Sequence, residues 1–255
     1  MVKVQTVRGG VRAARADVLV VPVAEGEARA VVRRLGRAAG NLARRLTATE
    51  YRGKTDEVLV HHGVGSTVLI GLGPRPGPDA WRRAAARGRQ EAERQRARRV
   101  AAYLGPAADD AAVVAAFAEG FLVAGYRFDR YLSDRNGARR VERLAIVGEA
   151  MPKPALVAPA LGAVEVAVEE VFRARDLVNE PPSVATPRYI ADQVARAAKS
   201  VRGLEVEAWG PARIAREGLA GLAGVARGTR EEPRFIRAHY RPSRAARKRV
   251  ALVGK

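Results

Sequence analysis

Few residues in this 255-residue chain could do chemistry, and their spacing limits what that chemistry can be. There is no cysteine, which excludes disulfides, thiol nucleophiles and Cys-based metal sites and agrees with a reducing compartment. Three histidines are present, His61, His62 and His239. His61 and His62 are adjacent in a strand-like run, so they point to opposite faces and cannot chelate one ion. Three such residues supply neither a Ser-His couple nor a histidine-rich zinc site. The stretch "LIGLGPRPG" (69–77) superficially resembles a dinucleotide-binding turn, with a strand passing through Gly71 and Gly73 towards a helix. Its third glycine position is Pro76, and no acidic residue closes a plausible next strand, so a plain strand-to-helix turn is the better reading. Lys255, at the chain end, reads in isolation as an ordinary surface lysine.

The net charge of +19 invites a phosphate-binding reading, since clustered basic side chains neutralise phosphates and release counterions. The count of 40 Arg against 6 Lys, together with abundant alanine, is equally what a GC-rich coding sequence produces. The surplus is spread, +11 over residues 1–150 and +8 over 151–255. The densest run holds Arg82, Arg83, Arg87, Arg89, Arg94, Arg96, Arg98 and Arg99; no aromatic residues interleave to stack bases, so a solvated helix face is the simpler account. The run "RPSRAARKR" (241–249) is most simply an exposed loop.

Such residues need elements to hold them, and 47% hydrophobic composition is ample for real cores. The pattern is α/β. Strands are expected at "DVLVVPV" (17–23), at "EVLVHHG" and "STVLIGLG" (57–73) joined by a turn, and at "VERLAIVGEA" (141–150). Helical periodicity runs over 28–46. A helix opening near Pro78 and Asp79 puts Trp81, Ala85, Gly88 and Ala92 on one face, and residues 109–128 have an acidic start and an apolar body that predicts burial. The prolines at 152, 154 and 159 suggest a linker over 151–160 between a domain at 1–150 and another at 161–255. Beyond it, a helix through 163–179 is stopped by Pro181 and Pro182, and Thr186 caps a new helix with Pro187 at its first position. Strand 204–210, helix 212–221, strand 234–240 and a buried strand at "RVALVG" (249–254) complete the reading. No apolar stretch approaches the ~20 residues of a membrane span and the start lacks a signal-peptide pattern, so a soluble, cytoplasmic protein is expected.

Three stretches together resemble the leucyl (cytosol) aminopeptidase family: "AEGFLVAGYRFDRY" (118–131), "RARDLVNEPPSVATPRYIAD" (173–192) and "RVALVGK" (249–255), with "GLAGVARGTREEPRFIRAHY" (221–240) also in register. The Asn-Glu-Pro-Pro segment followed by Thr-Pro is the most specific. The resemblance implies a macro-like amino-terminal domain followed by the incomplete beginning of a metallopeptidase catalytic domain. It implies Lys255 as a metal ligand, two divalent ions (Mn²⁺ or Zn²⁺) in the full-length enzyme, peptide substrates and a homohexamer. A lysine coordinates only as the neutral amine, which requires its pKa to be depressed from about 10.4. The family's other motifs, Phe-Asp-x-Gly-Gly and Asn-Thr-Asp-Ala-Glu-Gly-Arg, are absent, so the catalytic residues are expected beyond the chain end. The 255 residues alone are therefore expected to be inactive, to bind no metal and to fold poorly past about residue 160. The alternative from another class is a non-catalytic basic module that contacts DNA through the helix at 80–100.

Overall fold

The computed structural model describes residues 2–63, 65–133, 141–243 and 248–254. The chain divides into two compact units, Met1–Arg173 and Ala174–Lys255.

Unit 1 is built on a six-stranded sheet: β1 (Lys3–Arg8), β2 (Val18–Ala24), β3 (Val58–His62), β4 (Ser66–Gly73), β5 (Arg99–Tyr103) and β6 (Arg143–Gly148), in the order β1-β6-β5-β2-β4-β3. All neighbours pair parallel except β3, which returns antiparallel on β4 and forms an edge. The central strands are apolar throughout because both faces are covered. Alternate residues point to opposite sides. Val18, Val20, Val68, Ile70, Val100, Ala102, Leu144 and Ile146 pack under α3 (Pro78–Arg94), α4 (Ala111–Val123) and part of α5 (Pro154–Asn179). Leu19, Val21, Val23, Leu69, Ala101, Tyr103, Ala145 and Val147 pack under α1 (Ala28–Leu35) and α2 (Leu42–Thr47).

The helix expected over 28–46 is broken into α1, a 3-10 turn and α2, because Gly36 and Gly40 both take positive φ, 53° and 51°. Helix α4 is buried as its composition predicts, with Phe117 and Phe121 fully enclosed. Its start is capped by Asp110, whose Oδ1 accepts from the Ala112 N–H at 2.8 Å. It lies so close to α3 that a methyl group on Gly120 would collide with the Arg82 carbonyl.

Two strands have no counterpart in the sequence reading. β1 is an edge strand with mostly exposed side chains, so it carries little apolar signal, and β5 follows an arginine-rich run that masks its "VAAY" core. The region 151–160 also differs from the expected linker, since the helix begins at Pro154. Val157, Leu161, Val164, Val168 and Phe172 recur at helical spacing and pack on the unit 1 core, which holds these turns in a helix despite Pro159.

Unit 2 contains the end of α5, α6 (Pro187–Ala198), β7 (Leu204–Trp209), α7 (Pro211–Arg216), α8 (Ala220–Val225) and β8 (Phe235–Tyr240). β7 and β8 pair antiparallel from Leu204↔Tyr240 to Trp209↔Phe235. Among its described residues, Glu180, Ala191 and Ile214 are buried, while Val178, Val201, Val225, Phe235, Tyr240, Val250, Leu252 and Val253 are exposed.

Candidate functional site

The segment between α5 and α6 is held by two prolines and local hydrogen bonds. α5 stops at Asn179, because Pro181 disfavours helical geometry for Glu180 and neither proline can donate a helical hydrogen bond. The Pro181 carbonyl then accepts from the Val184 and Ala185 N–H groups at 2.8 and 2.9 Å, closing a turn. Thr186 ends it in extended geometry, its Oγ1 accepting from the Tyr189 N–H at 3.2 Å, with Pro187 opening α6 as expected. Glu180 is 6% exposed and is not without a partner. Sequence reasoning attached no role to it; the two prolines fixing its backbone were the available signal. A carboxylate is buried only where interactions offset its lost hydration.

At the far end of the β7–β8 ribbon, the Trp209 and Phe235 rings pack tilted at 33° with centroids 4.7 Å apart, and Arg213 lies 4.2 Å over the Trp209 ring. Glu207 accepts from Trp209 Nε1 at 2.9 Å and pairs with Arg213 at 2.9 Å. The indole hydrogen bond and the neighbouring arginines hold this carboxyl below the usual range.

Lys255 lies outside the described residues. The run leading to it does not form the expected buried strand: Val250, Leu252 and Val253 are 81%, 95% and 97% exposed and have no strand pairing. An apolar run becomes a parallel strand only beside strands that accept its hydrogen bonds, and among the described residues of unit 2 the strands β7 and β8 pair with each other. Among the described residues no group of three or more His, Cys, Asp or Glu could hold a metal ion. His61 and His62 fall on β3, paired opposite Thr67 and Ser66, and their side chains alternate between faces. The donor set a divalent pair requires is not furnished by these side chains.

The glycines of "LIGLGPRPG" serve close packing. Any side chain on Gly71 would overlap the Lys54 carbonyl, and Gly71 N–H donates to the Glu57 carbonyl at 2.7 Å. The adjacent loop is closed by Glu57, whose Oε2 accepts N–H bonds from Arg52, Gly53 and Lys54 at 3.0, 2.9 and 2.9 Å. A cleft of about 600 Å³ beside the turn is lined by Thr55, Leu72, Arg75, Pro78, Asp79 and Arg83 among others, without the fingerprint's glycine spacing.

Most of the arginine run 82–99 is committed inside the fold. Arg82 pairs with Asp79 and Glu119, Arg83 with Asp56, Arg94 with Glu91, Arg98 with Glu142 and Arg99 with Asp17. Arg89 is 4% exposed, pairs with Glu93 at 2.7 Å and sits 5.2 Å over the Phe121 ring. Of the eight, only Arg87 and Arg96 have no acidic partner among the described residues, which weakens this helix as a phosphate-binding surface.

Comparison with known proteins agrees with the constellation at 173–192. The family model for the cytosol aminopeptidase amino-terminal domain matches residues 20–135, and that for the catalytic domain of the same family matches 172–255. A probable cytosol aminopeptidase of Synechococcus sp. is 31% identical over 222 residues, covering 85% of this chain and 44% of the relative. One from Halorhodospira halophila is 39% identical over 145 residues, 56% of this chain and 29% of the relative. Among solved structures, a tomato leucine aminopeptidase mutant superposes with a TM-score of 0.85 at 20% identity, covering 97% of this chain and 52% of that one, a likeness of fold. The bottromycin maturation enzyme BotP in complex with Mn gives a TM-score of 0.67 at 28% identity, covering 89% and 46%. The chain spans about half the length of the relatives it matches.

Proposed function

The chain belongs to the cytosol aminopeptidase family, and from that premise we propose that it supplies the amino-terminal unit and the opening of the catalytic unit of a metal-dependent aminopeptidase that removes amino-terminal residues from peptides. The observation that carries the reading is the ordered match of both family models, 20–135 then 172–255, with the Asn179-Glu180-Pro181-Pro182 turn and its Thr186 cap inside the second. In this reading residues 1–150 form a macro-like domain, residues 161–255 begin the catalytic domain, and the enzyme is a cytoplasmic homohexamer. No helix among the described residues is long and apolar enough to cross a membrane, which agrees with that location.

In the full-length enzyme the two divalent ions implied by the resemblance, Mn²⁺ or Zn²⁺, would supply Lewis-acid chemistry. Lys255 is the residue of this chain proposed as a ligand, on the strength of the resemblance. Its amine coordinates only when neutral, so the site has to be dry and electropositive. The run leading to Lys255, 250–253, is exposed.

Two measurements test the reading. Coding DNA read past the codon for Lys255 is expected to continue in frame into Phe-Asp-x-Gly-Gly and Asn-Thr-Asp-Ala-Glu-Gly-Arg stretches; a stop codon there overturns it. The purified 255-residue chain, supplied with Mn²⁺, is expected to leave leucyl p-nitroanilide intact, and metal-dependent hydrolysis would show that these residues already complete a site.

A further inference from the structure

The two edges of the unit 1 sheet, β1 and β3, differ in how they meet solvent. β1 carries Lys3 and Arg8 at its ends, charges of the kind that guard an edge strand. β3 holds no Lys, Arg, Asp, Glu or Pro, and its two end residues, Val58 and His62, are exposed. Its ladder with β4 fixes which backbone groups are left over. Gly71 N–H donates to the Glu57 carbonyl at 2.7 Å and Gly63 N–H donates to the Gly65 carbonyl at 2.8 Å, so the odd positions from 57 to 63 turn their polar backbone groups towards β4. Bonding direction alternates along an antiparallel strand, which leaves the N–H and C=O groups of Val58, Val60 and His62 pointing to the open edge. Among the described residues no strand pairs with them.

We propose that β3 pairs antiparallel with the β3 of a second copy, about a two-fold axis at Val60, joining two unit 1 sheets edge to edge. In that register Val60 lies opposite its own copy and Val58 lies opposite His62 at each end, and each of these pairs exchanges two hydrogen bonds. The side chains agree with it. Val58, Val60 and His62 share the face of the sheet that packs under α3, where Val60 meets the core, while Leu59 turns to the α1 face. Residues opposite one another across the seam therefore lie on the same side, and both sheets continue without reversal. No like charges meet. The same symmetric pairing of β1 would set Lys3 opposite Arg8 at both ends, which is unfavourable. An extended peptide is the other occupant that an open edge accepts. The second copy is favoured because symmetry returns an uncharged strand with the same three outward residues. The contact uses unit 1 alone and none of the residues assigned to peptide hydrolysis.

The test is sedimentation of the whole chain at roughly 10 to 300 μM, a range set by the small area that a single strand pair buries. The weight-average mass is expected to climb with concentration towards twice that of one chain. Val58→Lys/His62→Lys sets ammonium groups against each other at both ends of the seam and is expected to stay monomeric throughout, with an unchanged circular dichroism spectrum. His62→Pro removes one outward donor per copy and none of the bonds to β4, and is expected to weaken association about tenfold. Leu252→Lys/Val253→Lys, in the exposed run of unit 2, is the control and is expected to leave association unchanged. Register is read by cross-linking, since the chain has no cysteine of its own. Positions 58 and 62 lie about 13 Å apart along one strand, beyond disulfide reach, yet opposite each other across the seam. Under mild oxidation Val58→Cys/His62→Cys is therefore expected to form a covalent dimer, while neither single variant does. The proposal is overturned if the unaltered chain stays monomeric, which would leave the edge to a peptide, or if the unit 2 control abolishes association as fully as the β3 variant. Single variants that cross-link as readily as the double one would overturn it too.

Discussion

Unit 1 and unit 2 are both α/β in pattern, yet they differ in how much apolar surface they enclose. In unit 1 both faces of a six-stranded sheet are covered, and the buried residues form two continuous clusters. In unit 2 a two-stranded ribbon and short helices bury Ala191 and Ile214 among the described apolar residues, leaving Val225, Tyr240 and the 250–253 run exposed. A lone two-stranded ribbon is marginal in water, and stability comes from further strands or a helix packed on its apolar face. Unit 1 therefore has what an independently stable domain needs, and unit 2 relies on local devices such as the Thr186 cap and the Trp209–Phe235–Arg213 cluster.

The comparison can be broken by substitution. The largest effect is expected from Phe117→Ala, which removes a fully buried ring from the α4 core of unit 1. It should cost about 3–5 kcal/mol in urea denaturation, and a loss near 1 would mean that the unit 1 core is as loose as unit 2. Ile214→Ala, at the best buried aliphatic position of unit 2, is expected at the low end of its class, about 2 kcal/mol, because sparse neighbours can collapse around the gap. A loss equal to that of Phe117→Ala would contradict the contrast. Limited proteolysis sharpens it further, with cuts in 200–255 expected well before any in 18–123.

Smaller effects report on single devices. Thr186→Ala deletes the oxygen that accepts the Tyr189 N–H and is expected to cost about 1 kcal/mol, read as faster amide exchange over the first turn of α6. Asp17→Asn in unit 1 is expected to cost less than about 1 kcal/mol, since the Arg99 pair is partly exposed. Partial burial raises the Asp17 pKa, but hydrogen bonds from the Arg99 side chain and from the Arg99 and Arg98 N–H groups outweigh it, so the folded value is depressed. Its contribution is then present above the ordinary aspartate pKa of about 3.9 and is lost as pH falls through the lower folded value. The variant and the unaltered chain should converge in stability once the pH is below that folded value, and a difference that persists there would assign Asp17 a packing role instead.

Much of the framework was legible because its signals are local. Val18–Ala24 and Ser66–Gly73 are apolar runs of strand length, Asp110 and Thr186 stand where caps belong, and Pro181 and Pro182 end a helix whatever surrounds them. The failures were also physical. β1 is an edge strand whose identity lies in its pairing to β6, 140 positions away by the register Lys3↔Arg143. The helix at 154–160 is held by a stripe packing on the core, against the local message of its prolines. The run at 250–253 shows the converse error, in which composition announced a strand without neighbours to pair with.

By itself the sequence determined the fold class, the absence of thiol chemistry and, through its 173–192 segment, the family, because these depend on residue identity and short-range order. Only the tertiary structure decided which arginines are free. The pairing of the arginines of 82–99 with Asp17, Asp56, Glu119 and Glu142 depends on chain segments brought together from far apart. Coulomb attraction acts over a few ångströms of space, with no regard for distance along the chain.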